Sequence, residues 1–413
     1  MTDNILDVVL HGRTIGTLTL LAGSQTIFAF DEDYIGNRDR PTLSVSFKNS
    51  TGGLVTDVRP AHTRVPPFFA NLLPEGPMRK YLAARAGVHP QREFFLLWVL
   101  GQDLPGALAV RHPDRDAGPP GSAADPASRD TEATRAVLHF SLAGVQLKFS
   151  ALLAADGGLT IPATGVDGSW IVKLPSPTYP AVPENEYAML ELARSIGIDV
   201  PETRLIAPAD ISGLPQDMGQ LEGPTLAIRR FDRLADGTAV HIEDFAQVFG
   251  VYPEDKYDNA NYRNLAEVIQ AEAGTAAIEE FVRRLVFNSL IGNADMHLKN
   301  WSLLYADRHS ATLAPAYDFV STIPYLRDER MALNLYGAGT KRWSDLSIDG
   351  LSRLAGRARL SEHTVLETAR ETVARFADAW RDGEGHDHLP AFVARAINEH
   401  YDSLKLVAEL RPG

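Results

Sequence analysis

The feature that most constrains the fold is an amphipathic segment followed directly by a polar loop. In "AAIEEFVRRLVFNSLIG" the apolar residues recur at helical spacing, at Ile278, Phe281, Val282, Leu285, Val286 and Leu290. A stripe of this kind anchors a helix in a core, and Gly292 is a suitable residue to end the helix. The loop "NADMHLKN" that follows is therefore predicted to lie on a rigid support, where catalytic groups are often found.

Length and composition restrict the class of protein. A chain of 413 residues is too long for one ordinary core, so two or three domains are expected. The apolar fraction of 45% and the charged fraction of 23% are those of a soluble globular protein. The net charge of -13 opposes binding to phosphate backbones and anionic membranes, so direct nucleic-acid binding is not expected.

Cysteine usage and the apolar runs indicate the compartment. The absence of cysteine excludes disulfides, thiolate catalysis and cysteine-ligated metals, and it fits a reducing compartment. The first residues lack the basic and apolar regions of a secretory signal. The longest apolar run, at residues 94–101, is far shorter than the roughly 20 residues that cross a bilayer. We therefore expect a cytoplasmic protein.

Changes in periodicity divide the chain into four predicted segments. Residues 1–110 combine short strand-like runs with later helical spacing and predict a small α+β subdomain. Residues 111–135 are rich in Pro, Gly, Ala and Asp and predict a linker or surface loop. Residues 136–243 predict a small sheet with one helix and a connecting strand, and residues 244–413 predict a mainly helical lobe.

The polar loop contains a spacing that is typical of phosphoryl transfer. Asp295 and Asn300 form D-x-x-x-x-N, in which a kinase Asp accepts the proton of the substrate hydroxyl and the Asn helps to bind Mg²⁺. Two short strand-like runs follow, and after them Asp318 in "YDF" stands where a kinase has its second metal-binding Asp. Lys299 has the charge needed to neutralise a transferred phosphoryl group.

A lysine upstream completes the pattern. Lys173 in "WIVKLP" has apolar neighbours on both sides. A buried lysine in such a strand is costly unless phosphates or another anion satisfy its charge. The helix predicted at residues 184–196 occupies the position of the kinase helix that supplies a carboxylate to this lysine, and Glu186 is the candidate.

Each of these signals also has an ordinary structural explanation. D-x-x-x-x-N recurs by chance, an isolated strand lysine is usually solvated at an edge, and an Asp after a helix is commonly a turn former. The order of the signals favours phosphoryl transfer, because chance would have to supply every part in sequence. A Walker-type NTPase is excluded, since G-x-x-x-x-G-K-[ST] is absent. G-x-G-x-x-G is absent too, and "SLAGVQLK" at residues 141–148 is either a phosphate-covering loop or a strand turn.

The chain resembles the HipA serine/threonine kinases, the toxins of bacterial HipBA toxin–antitoxin pairs. The resemblance covers nearly the whole chain and rests on "GRTIGTLTL", "FFANLLPEGP", "FSLAGVQLK", "WIVKLPSP", "NEYAMLELARSIGIDVPE", "RRFDR", "IGNADMHLKNWSLL" and "LAPAYDFVS". It implies an α+β fold, in which a small N-terminal α+β subdomain precedes a two-lobed protein-kinase-like domain with a mainly helical C-terminal lobe. It also implies ATP and Mg²⁺ as cofactors.

The resemblance implies roles for residues of this chain. Asp295 would be the catalytic base and Lys173 a phosphate ligand, and the magnesium ligands would be Asn300 and Asp318. Ser141 lies where such kinases autophosphorylate, which ejects the loop and inactivates the enzyme. The other implied ATP contacts fall in the loop, the hinge and the catalytic segment, on Ala143, Gly144, Val145, Gln146, Leu147, Lys148, Arg229, Arg230, Phe231, His297, Leu298, Lys299 and Tyr317. At Arg229 the chain departs from the family, which has an acidic residue there.

The resemblance also implies a substrate and a partner. The substrate is expected to be a serine or threonine of an aminoacyl-tRNA synthetase, glutamyl-tRNA synthetase first, whose phosphorylation arrests translation and growth. The partner is expected to be a HipB-like helix-turn-helix antitoxin that neutralises the kinase, contacts DNA and makes the bound kinase nucleoid-associated. Two alternatives stay open: an operator-bound corepressor with secondary kinase activity, and a small-molecule phosphotransferase of related fold.

Overall fold

The computed structural model describes residues 4–114, 118–119, 148–153, 159–161, 168–214, 221–326 and 330–410. Ser141 and residues 143–147, the predicted phosphorylation site and phosphate-covering loop, lie outside these ranges, as does most of the predicted linker. The chain forms two compact units. The first comprises Met1–Leu174, Ile206–Pro253 and Leu304–His309, and the second comprises Pro175–Leu205, Glu254–Leu303 and Ser310–Gly413. The division at residues 110, 135 and 243 stays a prediction.

The first unit contains an antiparallel N-terminal sheet. Its strands lie in the spatial order Ala61–His62, Gln25–Phe30, Arg13–Leu21, Ile5–Leu10 and Leu108–Arg111. The strands Ile5–Leu10 and Arg13–Leu21 form a hairpin in which Leu10 pairs with Arg13. The two connecting residues, His11 and Gly12, have φ of 49° and 79°. Positive φ at both positions gives the two-residue turn whose twist matches the flanking strands. The turn thereby fixes the register of the pair.

Helices share the core of this sheet. They are Glu32–Gly36, Pro67–Ala70, Gly76–Arg85 and Glu93–Leu100. The last of them, "EFFLLWVL", has no polar face and is buried almost all round. Its one charged residue, Glu93, accepts a hydrogen bond of 2.9 Å from Arg79. The predicted α+β character of the N-terminal part is therefore observed.

A second sheet in the first unit contains the lysine strand. Its strands within this unit lie in the order Ile211–Ser212, Leu159–Thr160, Lys148–Leu153, Trp170–Lys173 and Thr225–Arg229. Trp170–Lys173 pairs antiparallel with strands on both sides, so it is an interior strand. Trp170 and Val172 are buried, and Lys173 is only 5% exposed. The alternative of a solvated edge lysine is therefore wrong for Lys173.

A short strand and helix follow in the first unit. The strand His241–Asp244 leads directly into the helix Phe245–Val248. The side chain of Asp244 accepts from the N–H of Gln247, and the side chain of Gln247 accepts from the N–H of Asp244. This reciprocal capping box fixes where the strand ends and the helix begins.

The second unit is mainly helical, as predicted for the C-terminal part. Its helices are Val182–Ser195, Tyr262–Glu272, Ala276–Leu290, Ile348–Ala358, Glu362–Arg381, Ala391–Ser403 and Lys405–Leu410. The strands Thr203–Ile206, Ser302–Tyr305 and Thr312–Leu313 lie wholly or partly in this unit. Within the described ranges, no helix is both long and apolar enough to cross a membrane.

The helix Ala276–Leu290 is central to the second unit. The six apolar residues of its predicted stripe are all buried, each at most 2% exposed. Phe287 on the same helix packs against Phe319 and Phe376, with ring centroids 5.0 and 6.1 Å apart. Because close-packed side chains resist displacement, these contacts give the polar loop the rigid support that the sequence predicts.

Candidate active site

The polar loop begins at a well-defined helix end. The N–H of Gly292 donates to the carbonyl oxygen of Ser289 over 3.2 Å, and the N–H of Asn293 donates to that of Asn288 over 2.8 Å. With φ of 64° at Gly292, these bonds form the Schellman arrangement. A Cβ at this position would also lie 2.6 Å from the side chain of Ile323. Both the backbone conformation and the close packing require glycine here, and the predicted helix stop is confirmed.

Asp295 is held through both its backbone and its side chain. Its N–H donates to Oδ1 of Asn293 over 3.0 Å, and its carbonyl oxygen accepts from Nδ2 of Asn300 over 2.8 Å. The hydroxyl of Tyr257 donates to Oδ1 of the Asp295 carboxylate. Nε2 of His297 lies 3.9 Å from the same oxygen, and the Asp295 side chain is 54% exposed. The Asp295 carboxylate is therefore accessible and lies on a fixed backbone, which is compatible with its predicted role as a general base.

One buried amide joins this loop to the segment of Asp318. Nδ2 of Asn293 donates to the carbonyl oxygen of Asp318 over 3.3 Å and to Oδ1 of Asn288 over 2.8 Å. Oδ1 of the same side chain accepts from the N–H of Asp295. Asn293 is 1% exposed, so these bonds are shielded from competing water. A single side chain thus brings the segments of Asp295 and Asp318 together.

The remaining predicted residues of the second unit are connected to this loop. Leu298–Asn300 form a tight helical turn, and its three residues are buried, as is His297. The hydroxyl of Tyr317 donates to the carbonyl oxygen of Lys299 over 3.0 Å and lies 2.5 Å from Oγ of Ser302. The predicted pocket residues of this unit therefore form one connected group.

Asp318 has a backbone conformation that few side chains adopt. Its φ of 56° lies in the left-handed region, which Asp and Asn tolerate better than most other non-glycine residues. The carboxylate of Asp318 and the amide oxygen of Asn300 are the hard donors that Mg²⁺ prefers. Among the described residues no cluster of three His, Cys, Asp or Glu side chains could hold a metal. The donor set fits Mg²⁺ bound together with nucleotide phosphates, the usual arrangement in kinases.

In the first unit, Lys173 and Lys148 are register partners on adjacent antiparallel strands. Lys173 is buried, with 5% of its surface exposed. The nucleotide contacts of Lys173 and Lys148 stay a prediction.

The predicted hinge residues have unequal environments. Arg229 is exposed, Phe231 is half-buried and Arg230 is buried. The Arg230 guanidinium donates to both oxygens of Asp232, over 2.9 and 2.8 Å, and to Oδ1 of Asp103 over 3.1 Å. Burial by itself raises the pKa of Asp232, but the Arg230 guanidinium opposes this and the pKa is lowered to about 2. The side chain of Arg230 thus belongs to a buried ion network, and its contact with a nucleotide stays a prediction.

Glu186, the candidate carboxylate for Lys173, is 1% exposed on the helix Val182–Ser195. Pro183 in the first turn has the fixed φ that suits a helix start, in agreement with the predicted helix. Lys173 and Glu186 belong to different compact units. The pairing of their side chains stays a prediction.

Sequence reasoning misses two residues of the site. Asn293 follows the glycine that ends the helix, so its position at a helix terminus is a signal that could have identified it. Tyr257 contacts Asp295 across 38 positions of sequence. No local pattern marks Tyr257, because the contact depends on the folded arrangement of two segments.

The lysine-bearing sheet, the D-x-x-x-x-N loop and the second Asp define a protein of the kinase-like class. Comparisons with known proteins identify the family. The model for the HipA N-terminal domain matches residues 6–111, and the model for the HipA-like C-terminal domain matches residues 140–380. The chain belongs to the HipA family, and the resemblance based on its motifs is confirmed.

Relatives and a solved structure show how far the similarity extends. The Sinorhizobium fredii protein named "Putative kinase Y4dM" is 55% identical to this chain over 408 residues, which are 98% of each chain. The serine/threonine-protein kinase toxin HipA of Shewanella oneidensis is 27% identical over 291 residues, 62% of this chain and 63% of that protein. A chain in the solved complex of S. oneidensis HipA, HipB and operator DNA has a TM-score of 0.69 at 20% identity, covering 98% of this chain and 96% of that chain. The predicted α+β, kinase-like fold class is confirmed.

Proposed function

We propose that this protein is a serine/threonine-protein kinase that transfers the γ-phosphate of ATP to a hydroxyl of a protein substrate. The observation that supports this most directly is the buried side chain of Asn293, which connects the backbone of Asp295 to that of Asp318. A kinase needs one carboxylate beside the attacking hydroxyl and another beside the metal-bound phosphates. Asp295 and Asp318, whose backbones are both bonded to Asn293, match that division of roles.

In the proposed reaction the substrate oxygen attacks the γ-phosphorus, the bond to the β-phosphate oxygen breaks, and ADP leaves. The Asp295 carboxylate accepts the proton of the attacking hydroxyl. The hydrogen bonds of its backbone to Asn293 and Asn300 keep it in place during the transfer. Mg²⁺, when bound by Asn300 and Asp318, would neutralise phosphate charge, and Lys299 would add a positive charge beside the transferred group.

The first unit would bind the rest of the nucleotide. Lys173 is buried on an interior strand of the second sheet, and we propose that it contacts the phosphates. We propose that residues 143–148 cover the phosphates and that the backbone of residues 229–231 binds adenine. Autophosphorylation of Ser141, within the segment before this loop, would inactivate the enzyme.

Family membership supports a protein target and a partner. We propose an aminoacyl-tRNA synthetase as the substrate, with glutamyl-tRNA synthetase the first to test, and an arrest of translation and growth as the outcome. The proposed partner is a HipB-like antitoxin, because a chain of similar fold occurs in a complex of HipA, HipB and operator DNA. The net charge of -13 agrees with a partner that supplies the DNA contacts.

Phosphate transfer from γ-labelled ATP tests the enzymatic proposal. The purified protein with Mg²⁺ should label itself, and Asp295→Asn should lower the rate by about 100-fold or more, the usual contribution of a general base. Asp318→Asn is the matching metal-site variant, since Asn tolerates the positive φ. Asp349→Asn removes an exposed carboxylate from a helix start and serves as the control. Equal labelling by wild type and Asp295→Asn, or none by wild type, contradicts the proposal.

Expression of the chain without an antitoxin separates catalysis from the corepressor alternative. If growth arrest requires phosphoryl transfer, Asp295→Asn abolishes it, and phosphoproteomics after a short induction identifies the modified protein. Arrest that persists unchanged in Asp295→Asn would favour sequestration of a partner. Transfer of label to a metabolite and to no protein would favour a small-molecule phosphotransferase.

A further inference from the structure

We infer that Tyr257 is a positioning residue that orients the carboxylate of Asp295 for proton transfer. The inference rests on the proposed kinase function and adds to it a residue that lies outside every motif of the sequence. Tyr257 precedes the helix Tyr262–Glu272, in a different segment from the loop it contacts. Its role is therefore set by the fold of the second unit.

The contact with the carboxylate is direct. The Tyr257 hydroxyl donates a hydrogen bond to Oδ1 of Asp295. The bonds to Asn293 and Asn300 fix the backbone of Asp295, but they do not restrict rotation of its side chain. Because that side chain is 54% exposed, surrounding atoms enclose it only in part. The tyrosine hydroxyl supplies a direct restraint on the carboxylate from a segment outside the loop.

The tyrosine ring is itself held by its neighbours. The ring of His297 meets it edge to face, with centroids 4.9 Å apart and planes at 84°. The ammonium groups of Lys256 and Lys341 lie 5.6 and 6.0 Å from the ring centroid, within the range of cation–π attraction. The carbonyl oxygen of Lys256 accepts from the N–H of Leu298 over 3.2 Å. These contacts define the position of the hydroxyl relative to the catalytic loop.

The arrangement leaves a chemical role for each carboxylate oxygen. An ionised carboxylate accepts hydrogen bonds at both oxygens, so Oδ1 can accept from Tyr257 while Oδ2 accepts the proton of the substrate hydroxyl. A hydrogen bond to a charged acceptor is stronger than one between neutral groups. Holding the base in its reactive orientation before the transfer raises the rate of the chemical step. Tyr257 would therefore act on turnover through Asp295 without contacting the substrate.

Tyr257→Phe tests this role because it removes the hydroxyl and keeps the ring. The readout is the single-turnover rate of phosphate uptake by the full chain from γ-labelled ATP. At saturating ATP the rate should fall about tenfold, as expected for loss of one hydrogen bond to a charged group, and the half-saturating ATP concentration should not change. Tyr34→Phe is the matched control, since it removes a hydroxyl that donates to Pro41 over 2.6 Å in the first unit. Its rate should equal that of the wild type.

A second background separates positioning from a general structural effect. Tyr257→Phe added to Asp295→Asn should lower the residual rate no further, because the hydroxyl acts through the carboxylate that is already missing. A merely structural role would lower the rate in both backgrounds. All rates are compared below the temperature at which circular dichroism detects the unfolding of any variant.

The outcomes distinguish the two proposals. A wild-type rate for Tyr257→Phe, or an equal loss in both backgrounds, overturns the inference and leaves the kinase proposal intact. Absence of phosphate uptake by the wild type, or full uptake by Asp295→Asn, overturns the kinase proposal and the inference with it. If Tyr257→Phe lowers the rate only when Asp295 is present, and the half-saturating ATP concentration does not change, the result supports both the kinase proposal and the inference.

Discussion

The side chain of Asn293 donates a hydrogen bond of 3.3 Å to the carbonyl oxygen of Asp318. The same amide accepts from the N–H of Asp295 over 3.0 Å and is almost fully buried. Because a side-chain amide is planar, the two bonds together restrict the relative positions of the loops that contain the proposed base and the proposed metal ligand. Asn293 is therefore the residue through which stability and activity should be coupled most closely.

Asn293→Ala should weaken both folding and catalysis. Loss of a buried amide that makes three hydrogen bonds should lower the free energy of unfolding by roughly 1–3 kcal/mol, and the phosphotransfer rate should fall about tenfold or more. Urea unfolding and γ-labelled ATP measure the two effects. Asn71→Ala is the control, because Asn71 is a buried Asn of the first unit that donates to two backbone carbonyls. It should lose comparable stability and keep its rate; a rate loss as large as that of Asn293→Ala would contradict the assignment.

Gly292→Ala should destabilise the second unit more than Gly274→Ala does. Both glycines have positive φ, 64° and 82°, so alanine at either costs about 1–2 kcal/mol of backbone strain. Only at Gly292 would the new Cβ also meet Ile323, at 2.6 Å, whereas Gly274 has open space. Overpacking of this kind adds about 1–3 kcal/mol. Thermal unfolding of the two variants measures the difference, and equal melting temperatures would show that Ile323 adapts without cost.

The elements of the site that depend on local pattern could be predicted from the sequence. The stripe from Ile278 to Leu290 is buried as expected, because helical periodicity alone determines which residues share a face. Gly292 ends the helix, since its lack of a Cβ permits positive φ. Lys173 lies on a buried strand, as its apolar neighbours indicate. In each case residues close in the sequence decide the outcome.

The relationships between distant segments could not be predicted in this way. Tyr257 contacts Asp295 because two segments meet in the folded unit. The local sequence of neither segment indicates this contact. The side chain of Arg230 belongs to a buried ion network with Asp103, although its place in "RRFDR" suggests a nucleotide contact. Such pairings depend on tertiary geometry, which overrides local preference.

Arg230→Met should cost far more stability than Arg204→Met. Arg230 is fully buried and paired with Asp103 and Asp232, so its loss leaves buried carboxylates poorly compensated, at a cost of about 3 kcal/mol or more. Arg204 pairs with Glu202 where both side chains are 41% exposed, and such pairs contribute at most about 1 kcal/mol. Denaturant unfolding of the two variants measures the contrast. Near-equal midpoints would mean that the apolar side chain replaces the ion network without loss.

The same network predicts an acid limit for stability. The pKa of Asp232 is lowered from 3.8 to about 2 in the folded protein. The group therefore contributes stability that is present above pH 3.8 and is lost as the pH falls through about 2. In Arg230→Met this acid-dependent part should shrink, because the guanidinium that favours the ionised carboxylate is gone. Unfolding free energies of both proteins between these pH values test the prediction, and parallel curves would contradict it.

Glu243 should make a contribution of opposite sign nearer to neutral pH. Burial raises its pKa from 4.5 to about 7, although hydrogen bonds from the hydroxyls of Ser44 and Tyr305 and the N–H of Val45 favour the carboxylate. Between these pH values the folded state keeps a proton that the unfolded chain has lost. Glu243 therefore contributes a fall in the free energy of unfolding as the pH rises through this window, by up to about 3 kcal/mol.

Glu243→Gln should remove this contribution because glutamine does not titrate, so the free energy of unfolding should rise more steeply with pH in the variant than in the wild type. The geometry accommodates the amide: its oxygen can accept from Val45 and Tyr305, as Oε1 does, while its NH₂ donates to Oγ of Ser44, which now contacts Oε2. Asp244 raises the pKa of Glu243 further. Burial lowers the pKa of His241 and His11 from 6.5 to about 4, so both groups contribute a slope of the opposite sign, and they do so equally in wild type and variant. Urea unfolding at several pH values measures the slope, with the exposed Glu222→Gln as control. Parallel pH curves of the wild type and Glu243→Gln would assign the titration to another group.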